Sequence, residues 1–537
     1  MLQEKIEYYI GEIKRRFRLK LQSPIPRVVV SDPFTTSMLS RSFGTVTKNN
    51  VVRLSKQFLN SPLLEGILIR EAMRSFIPKV LLSIEEAMDM AMFVAYKLLP
   101  NKEEWLKQWE KVAPQKYWGD ISYWPSHDFL EFDKATAGKS IKIFLDLLEE
   151  ITKYREEFES EEYVYFFDYI QKEVYTPITQ ADKELIEVLK ENPQMSFVRL
   201  SKLIGKSKTV TRRIFKKLEA RIWLRIQAYL NWSKVNLEHI TVLVRPVEKH
   251  QEEVRERLLQ PYIRNIRVLG GGKGTELLAV YTLPIGAGHT LDEFLRSMKE
   301  NGLVQRYIKT QSEKDIQMIC FRYYDAREST WNIPWAEIER RLRSSVQEVE
   351  NISLANVVKL DYVSKPTQFD QTDLKILGLL YWGDGLKRST KELASKVGTS
   401  RNVLKNRLKR LQEEQFYLPR VAFIPLLCGL PETLLMITES DSNEALMRIE
   451  YVLQFLPLTY VLKVRGDIDG IISLSALPDR ITDAYKTLAF RIAKLPEIYS
   501  TRSYIEHHGT MISRLLPVEL YTEDLQWIHP KEIWRIE

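Results

Sequence analysis

Two clusters of side chains hold the residues of this chain that could do chemistry. Lys206, Lys208, Thr209, Arg212, Arg213 and Lys216 form the first, and Arg401, Asn402, Lys405, Asn406 and Lys409 form the second. Lysine is a mobile point charge suited to phosphate. The fork of arginine can hold guanine by two hydrogen bonds, and the amide of asparagine can hold adenine likewise. The chemistry on offer is recognition of a polyanion with base edges, and the implied partner is double-stranded DNA. Neither cluster pairs a nucleophile with a base, so no catalytic residue is assigned.

Each cluster lies on the second helix of a basic helix-turn-helix pattern, with Lys206 in the turn just before it, and the two patterns stand about 193 positions apart. The first runs from Leu200 through Gly205 and Ser207 to Leu218; the second runs from Leu393 through Gly398 and Ser400 to Leu411. The glycine permits a left-handed turn, and the serine oxygen can cap the free amides at the next helix start. Apolar spacing places Ile214, Phe215 and Leu218 inward in the first copy, and Leu404, Leu408 and Leu411 inward in the second, leaving the cationic sets outward.

Charge is concentrated on these segments. Residues 196–226 carry a net +9 and residues 386–412 a net +8, while the whole chain is +8, so the rest sums to −9. Focused basicity of this kind marks a phosphate-facing footprint, whereas a solvated basic helix without a partner is the plain alternative.

A chain of 537 residues should divide into three or more domains. Two cysteines, Cys320 and Cys428, exclude a disulfide scaffold and a four-cysteine zinc site and fit a reducing cytoplasm. No apolar run reaches the roughly 18 residues of a membrane span, and the first twenty residues read as a charged amphipathic helix rather than a signal peptide. A cytoplasmic protein with no membrane contact is expected. The seven histidines form no ligand pattern, and neither a metal nor a cofactor is expected. Near the start, Asn50–Lys56 followed by Pro62–Arg74 has the outline of the edge strand and helix of a zinc metallopeptidase, but Arg70 and Arg74 stand where His-Glu-x-x-His needs its histidines. A degenerate scaffold or an ordinary amphipathic helix follows.

The fold class expected is α+β. A mainly helical N-terminal domain spans 1–160, with strands near Arg27–Val30 and Asn50–Leu54. Then come a first helix-turn-helix (161–235), a first βαββαβ domain (236–325), a helical connector (326–366) with a helix over Glu337–Val349, a second helix-turn-helix (367–425) and a second βαββαβ domain (426–537). The match of Asp168–Lys172 to Asp361–Lys365 at the same offset argues that whole units are duplicated. The aromatic run Tyr163–Tyr175, with Phe166 and Phe167, reads as a domain-packing helix. Gly270–Gly274 reads as a hairpin turn, because a strand rather than a helix follows it.

In this order of elements, and in the stretch Val464-Arg-Gly466-Asp467-Ile-Asp469-Gly, the chain resembles the Lrp/AsnC family of prokaryotic regulators. The resemblance implies a winged helix-turn-helix followed by a ferredoxin-like βαββαβ domain in each unit, and an archaeal source. It also implies a ligand-responsive transcription regulator, with a small-molecule effector, often an amino acid, near the subunit contact. Gly466, Asp467 and Asp469 are then the effector or dimer-contact residues; the first unit keeps glycines at its hairpin but lacks the aspartates. In relatives two chains pack these domains face to face, so the two units here should form an internal pseudo-dimer, with self-association left open.

Two other classes compete. An adaptor would use the same modules to bind RNA polymerase or other transcription proteins. Siroheme decarboxylases also resemble this family, and a tetrapyrrole enzyme of that type would use residues such as His507 and His508. That reading leaves the focused charge without a purpose.

Overall fold

The computed structural model describes residues 2–17, 21, 24–31, 44–46, 51–55, 59 and 64–76 of the first part of the chain. Beyond these it describes 177–534 except 272–273, 345–356, 363–366, 382–385, 387–388, 480, 507–511 and 514–515. The aromatic run Tyr163–Tyr175, the repeat marker Asp168–Lys172, and His507 and His508 therefore lie outside the described residues. The chain divides into two compact units, residues 1–174 with 508–517, and residues 175–507 with 518–537.

In the first unit the described residues form helices α1 (Leu2–Phe17) and α2 (Leu64–Arg74) and strands β1 (Arg27–Ser31), β2 (Gly44–Val46) and β3 (Val51–Ser55). Strand β3 is central, parallel to β1 and antiparallel to β2. Ile6, Ile10 and Ile13 of α1 and Leu68, Ile69 and Met73 of α2 are buried. The strands expected near Arg27–Val30 and Asn50–Leu54 are β1 and β3, and most of residues 1–160 lie outside the described residues.

The second unit begins with helices α3 (Gln180–Glu191), α4 (Phe197–Leu203) and α5 (Lys208–Ile222), followed by strand β4 (Arg225–Leu230). Next come β5 (Leu237–Pro246), α6 (Gln251–Leu258), β6 (Ile263–Gly271), β7 (Gly274–Pro284), α7 (Gly288–Glu300) and β8 (Val304–Ile319). A short ribbon of β9 (Tyr324–Asp325) and β10 (Thr330–Trp331) leads to α8 (Trp335–Leu342) and β11 (Val357–Asp361). Helix α8 starts two residues before the expected connector helix. The same order then recurs: α9 (Gln371–Tyr381), α10 (Thr390–Val397), α11 (Arg401–Glu413), β12 (Tyr417–Ala422), β13 (Glu432–Glu439), α12 (Asn443–Leu453), β14 (Leu458–Gly466), β15 (Gly470–Leu477), α13 (Thr482–Ala493) and β16 (Ser500–Glu506).

Each βαββαβ half has the strand order last–first–third–second, so its last and second strands are edges. The edges of one half pair with those of the other. Strand β8 runs antiparallel to β14 from Thr310↔Gly466 to Ile319↔Leu458, and β16 meets β6 at Ile505↔Gly270 and Glu506↔Leu269. The result is one closed ring of eight antiparallel strands, β5-β8-β14-β15-β13-β16-β6-β7, returning to β5. The halves of the expected internal pseudo-dimer thus meet at their edges as well as across their inner faces: backbone donors and acceptors at four edges, which face packing alone would leave open, satisfy one another. Leu243, Leu269 and Leu278 of the first half and Leu435, Ile437 and Ile472 of the second share one apolar cluster. Outside, α12 and α13 bury Ile449, Tyr485 and Leu488 together with Ile338 and Leu342 of α8.

Strands β4 and β12 pair antiparallel with each other, from Arg225↔Ala422 to Leu230↔Tyr417. This ribbon was not anticipated from sequence. Beneath it lies a buried polar cluster. The Nδ1 atom of His239 is 2.9 Å from Ser312 Oγ, Tyr362 donates to Asp315 Oδ2 at 3.3 Å, and Gln317 Nε2 donates to Val421 O at 3.2 Å. The Arg420 guanidinium stacks 4.5 Å over the Tyr229 ring. Burial raises the Asp315 carboxyl to about 6, against hydrogen bonding from Tyr229 and the charge of Arg420. Burial, helped by Arg264, lowers His239 to about 3. Among the described residues no helix is long and apolar enough to cross a membrane.

Candidate nucleic-acid interface

Each head is a three-helix module in which serine and glycine set the turn. In the first, Ser207 Oγ accepts from Val210 N at 3.2 Å, and Gly205 has φ +63°. In the second, Ser400 Oγ accepts from Val403 N at 3.3 Å, and Gly398 has φ +76°. These caps satisfy an amide that a helix start otherwise leaves free, and they fix where α5 and α11 begin. The preceding helices are capped alike, by Ser196 and Ser389.

Packing orients the faces. Thr211, Phe215 and Leu218 of α5 are buried, with Ile214 half-buried and the Phe197 ring edge-on to Phe215 at 5.5 Å. Leu404 and Leu411 of α11 are buried, whereas Leu408, expected inward, is only half-buried. Lys206, Lys208, Thr209, Arg212, Arg213 and Lys216 are all exposed on the first head, and Arg401, Asn402, Lys405, Asn406 and Lys409 on the second. Lys216 reaches Glu219 at 2.6 Å and Lys409 reaches Glu413 at 3.6 Å, with side-chain exposures of 66% and 74%. The Lys409–Glu413 pair is exposed on both sides and holds little energy, so Lys409 can turn to phosphate, whereas Lys216 faces a Glu219 side chain only 10% exposed. Arg199, Lys202 and Lys391 on α4 and α10 are exposed cations too, which helical spacing on the second helices alone did not bring forward.

Not all the basic residues face outward. Asp182 and Asp373 occupy the third position of α3 and α9 and are almost wholly buried. Lys217 reaches Asp182 Oδ2 at 3.0 Å. In the second head Arg407 lies 2.8 Å from both Asp370 Oδ1 and Asp373 Oδ1, and Arg410 also pairs with Asp373. Arg225 is buried and donates to the carbonyls of Glu219 and Leu224. The charge windows therefore overstate the cationic face; the signal was the repeated buried aspartate opposite Lys217 and Arg410. Asp373→Ala should lower the unfolding free energy by roughly 2 kcal/mol, because Arg410 loses this partner and Arg407 is left with Asp370. Urea unfolding checks this; an unchanged midpoint would mean that the clamp contributes nothing.

The heads are tied by more than the ribbon. Gln412 donates to Gln194 Oε1 at 3.0 Å, Asn231 N to Phe416 O at 2.9 Å, and Ile424 N to Ile222 O at 3.1 Å.

The turn Gly466–Gly470, site of the proposed effector or contact residues, sits on the first half of the barrel. Asp467 N donates to Lys309 O at 3.0 Å, and Lys309 N donates to Asp467 Oδ2 at 2.8 Å. Asp469 Oδ1 accepts from Gly466 N at 3.2 Å and closes the turn itself. Gly466 and Asp467 thus meet the other half, while the Asp469 carbonyl accepts from Ser440 N within its own. Among the described residues no group of three or more His, Cys, Asp or Glu side chains could hold a metal.

A family model for winged helix-turn-helix DNA-binding domains matches the chain twice, over residues 178–221 and 369–416. The chain therefore carries such a domain at two places. No curated protein matches it. Among solved structures it is similar to the siroheme decarboxylase NirDL, at 12% identity and TM-score 0.39, over 61% of this chain and 91% of that one. The same decarboxylase in complex with an iron-uroporphyrin III analogue gives 12% and 0.39 over 60% and 90%, and PH0061 gives 14% and 0.20 over 25% and 91%. At such identity and overlap these likenesses assign neither fold nor function to this chain.

Proposed function

We propose that the chain is a sequence-specific, double-stranded-DNA-binding transcription regulator, non-enzymatic, with two unequal reading heads on an Lrp/AsnC-like body. The observation that carries this is that both matched winged helix-turn-helix segments present an exposed cationic face on the second helix, joined in the second head by the amides of Asn402 and Asn406. The ribbon supports a fixed separation. Its strands start at opposite ends, so the recognition helices end about 17 Å apart by strand rise. The heads share Lys216 and Lys409 but differ at Lys208/Arg401, Thr209/Asn402, Arg212/Lys405 and Arg213/Asn406, so the preferred site is an imperfect palindrome. The turn at Gly466–Asp467 acts in this reading as the contact that lets a small-molecule effector bias one half against the other.

Binding of the full chain to a duplex selected from a random pool, followed across a salt series, tests the reading. Selectivity is expected, with log K falling by about 0.9 per log unit of salt for each phosphate contact. A flat salt response or equal binding to every duplex would sink it. Arg401→Ala or Asn406→Ala should cost about 1–3 kcal/mol on the selected site and little on random duplex. Lys216→Ala or Lys409→Ala should weaken both alike and shorten the salt slope. Uniform losses from all four would leave a nonspecific binder.

A further inference from the structure

We infer that Val403 is a specificity-determining residue, packing against the 5-methyl group of a thymine in the half-site held by the second head. This rests on the duplex-binding reading above and adds the base it selects. Val403 is 44% exposed on the first turn of α11, although it is apolar and its neighbours Arg401, Asn402, Lys405 and Asn406 are polar and exposed. Its backbone is held by the hydrogen bond to the Ser400 cap. As a β-branched residue in a helix it has essentially one rotamer, so its two methyl groups stand at a fixed place. The first turn of a recognition helix is the part that enters the major groove, where thymine alone among the bases offers an apolar group. Asn406 lies three residues on, beside Val403 on the helix surface, and an asparagine amide suits adenine. Together they fit an A·T step, the amide on adenine and the valine on a thymine methyl. The first head repeats the arrangement with Val210 on the Ser207 cap, but Val210 is more covered and its neighbour at the asparagine position is Arg213. The methyl contact therefore belongs to the second head.

The test takes the duplex selected by the full chain and replaces each thymine in turn with deoxyuridine, which removes only the methyl group. The wild type should lose about three- to five-fold in affinity at one thymine, the worth of one buried methyl. Val403→Ala should bind the thymine and uracil forms of that duplex equally, while Val210→Ala should keep the difference. Thermal unfolding of both variants should match the wild type, since neither side chain anchors the core. A wild type that selects a sequence yet ignores every uracil, or a Val403→Ala variant that still discriminates, overturns the inference alone. A wild type that selects no sequence overturns the duplex reading and the inference with it.

Discussion

Gly470→Ala should destabilise the chain by more than about 4 kcal/mol, in the range reserved for changes the fold cannot absorb. Gly470 opens β15 directly beside β13, and a Cβ there would lie 2.0 Å from Thr438 O, with Thr438 C at 3.0 Å and Glu439 Cα at 3.1 Å. All three are backbone atoms of a strand paired on both sides, so no side-chain rotation relieves the clash. Gly466→Ala should cost less, since its nearest contacts are Lys309 O at 2.9 Å and Thr310 Cα at 3.3 Å across the seam between halves. Gly398→Ala should cost only about 1 kcal/mol, because its φ of +76° strains alanine but nothing lies within 4 Å. Urea midpoints should rank the variants in that order. A Gly470→Ala protein with the wild-type midpoint would show that β13 and β15 are not held this close.

Much of this arrangement is legible in the sequence, and what is not has a physical cause. The serine caps and the buried positions of α5 and α11 follow from local rules, so the outward placement of Arg212, Arg213, Lys405 and Asn406 was readable. Thr211 was missed because it fills a core position by returning its hydroxyl to Ser207 O, where apolar counting sees only a polar residue. The pairing of Arg407 and Arg410 with buried Asp373 is not readable locally, because that aspartate lies some 35 positions away. The alternation in β6, β8, β14 and β16 identifies strands with one inward face, but an open sandwich and a closed ring demand the same alternation. Which edges meet depends on contacts far apart in the chain, such as Glu506↔Leu269. The β4–β12 ribbon is the extreme case: its strand Arg225–Leu230 is buried along its whole length and its partner lies in the other head.

Stability against acid should be set largely at His239. Its ring is buried beside Ser312 and Tyr362 and is held neutral, with a pKa lowered to about 3 from 6.5 by burial and then by Arg264. Below pH 6.5 the unfolded chain takes up a proton that the folded chain refuses. The contribution is therefore complete above 6.5 and is lost as pH falls toward 3, by about 5 kcal/mol in all at 1.36 kcal/mol per unit. Asp315 works in the opposite sense. Its carboxyl, raised by burial to about 6 from 3.8, is protonated in the folded chain before the unfolded one, so stability rises by roughly 3 kcal/mol as pH falls through that window. In the wild type the two nearly offset each other between about pH 6 and 4, and the loss shows below 4. His239→Gln keeps a polar partner for Ser312 but cannot titrate. The carboxylates elsewhere act on both proteins alike, so the difference in unfolding free energy between variant and wild type isolates the ring. That difference should shift in favour of the variant by about 5 kcal/mol between pH 7 and pH 3. A difference that stays constant with pH would mean that the ring titrates in the folded chain as it does in water, and that the space beneath the ribbon is open to solvent.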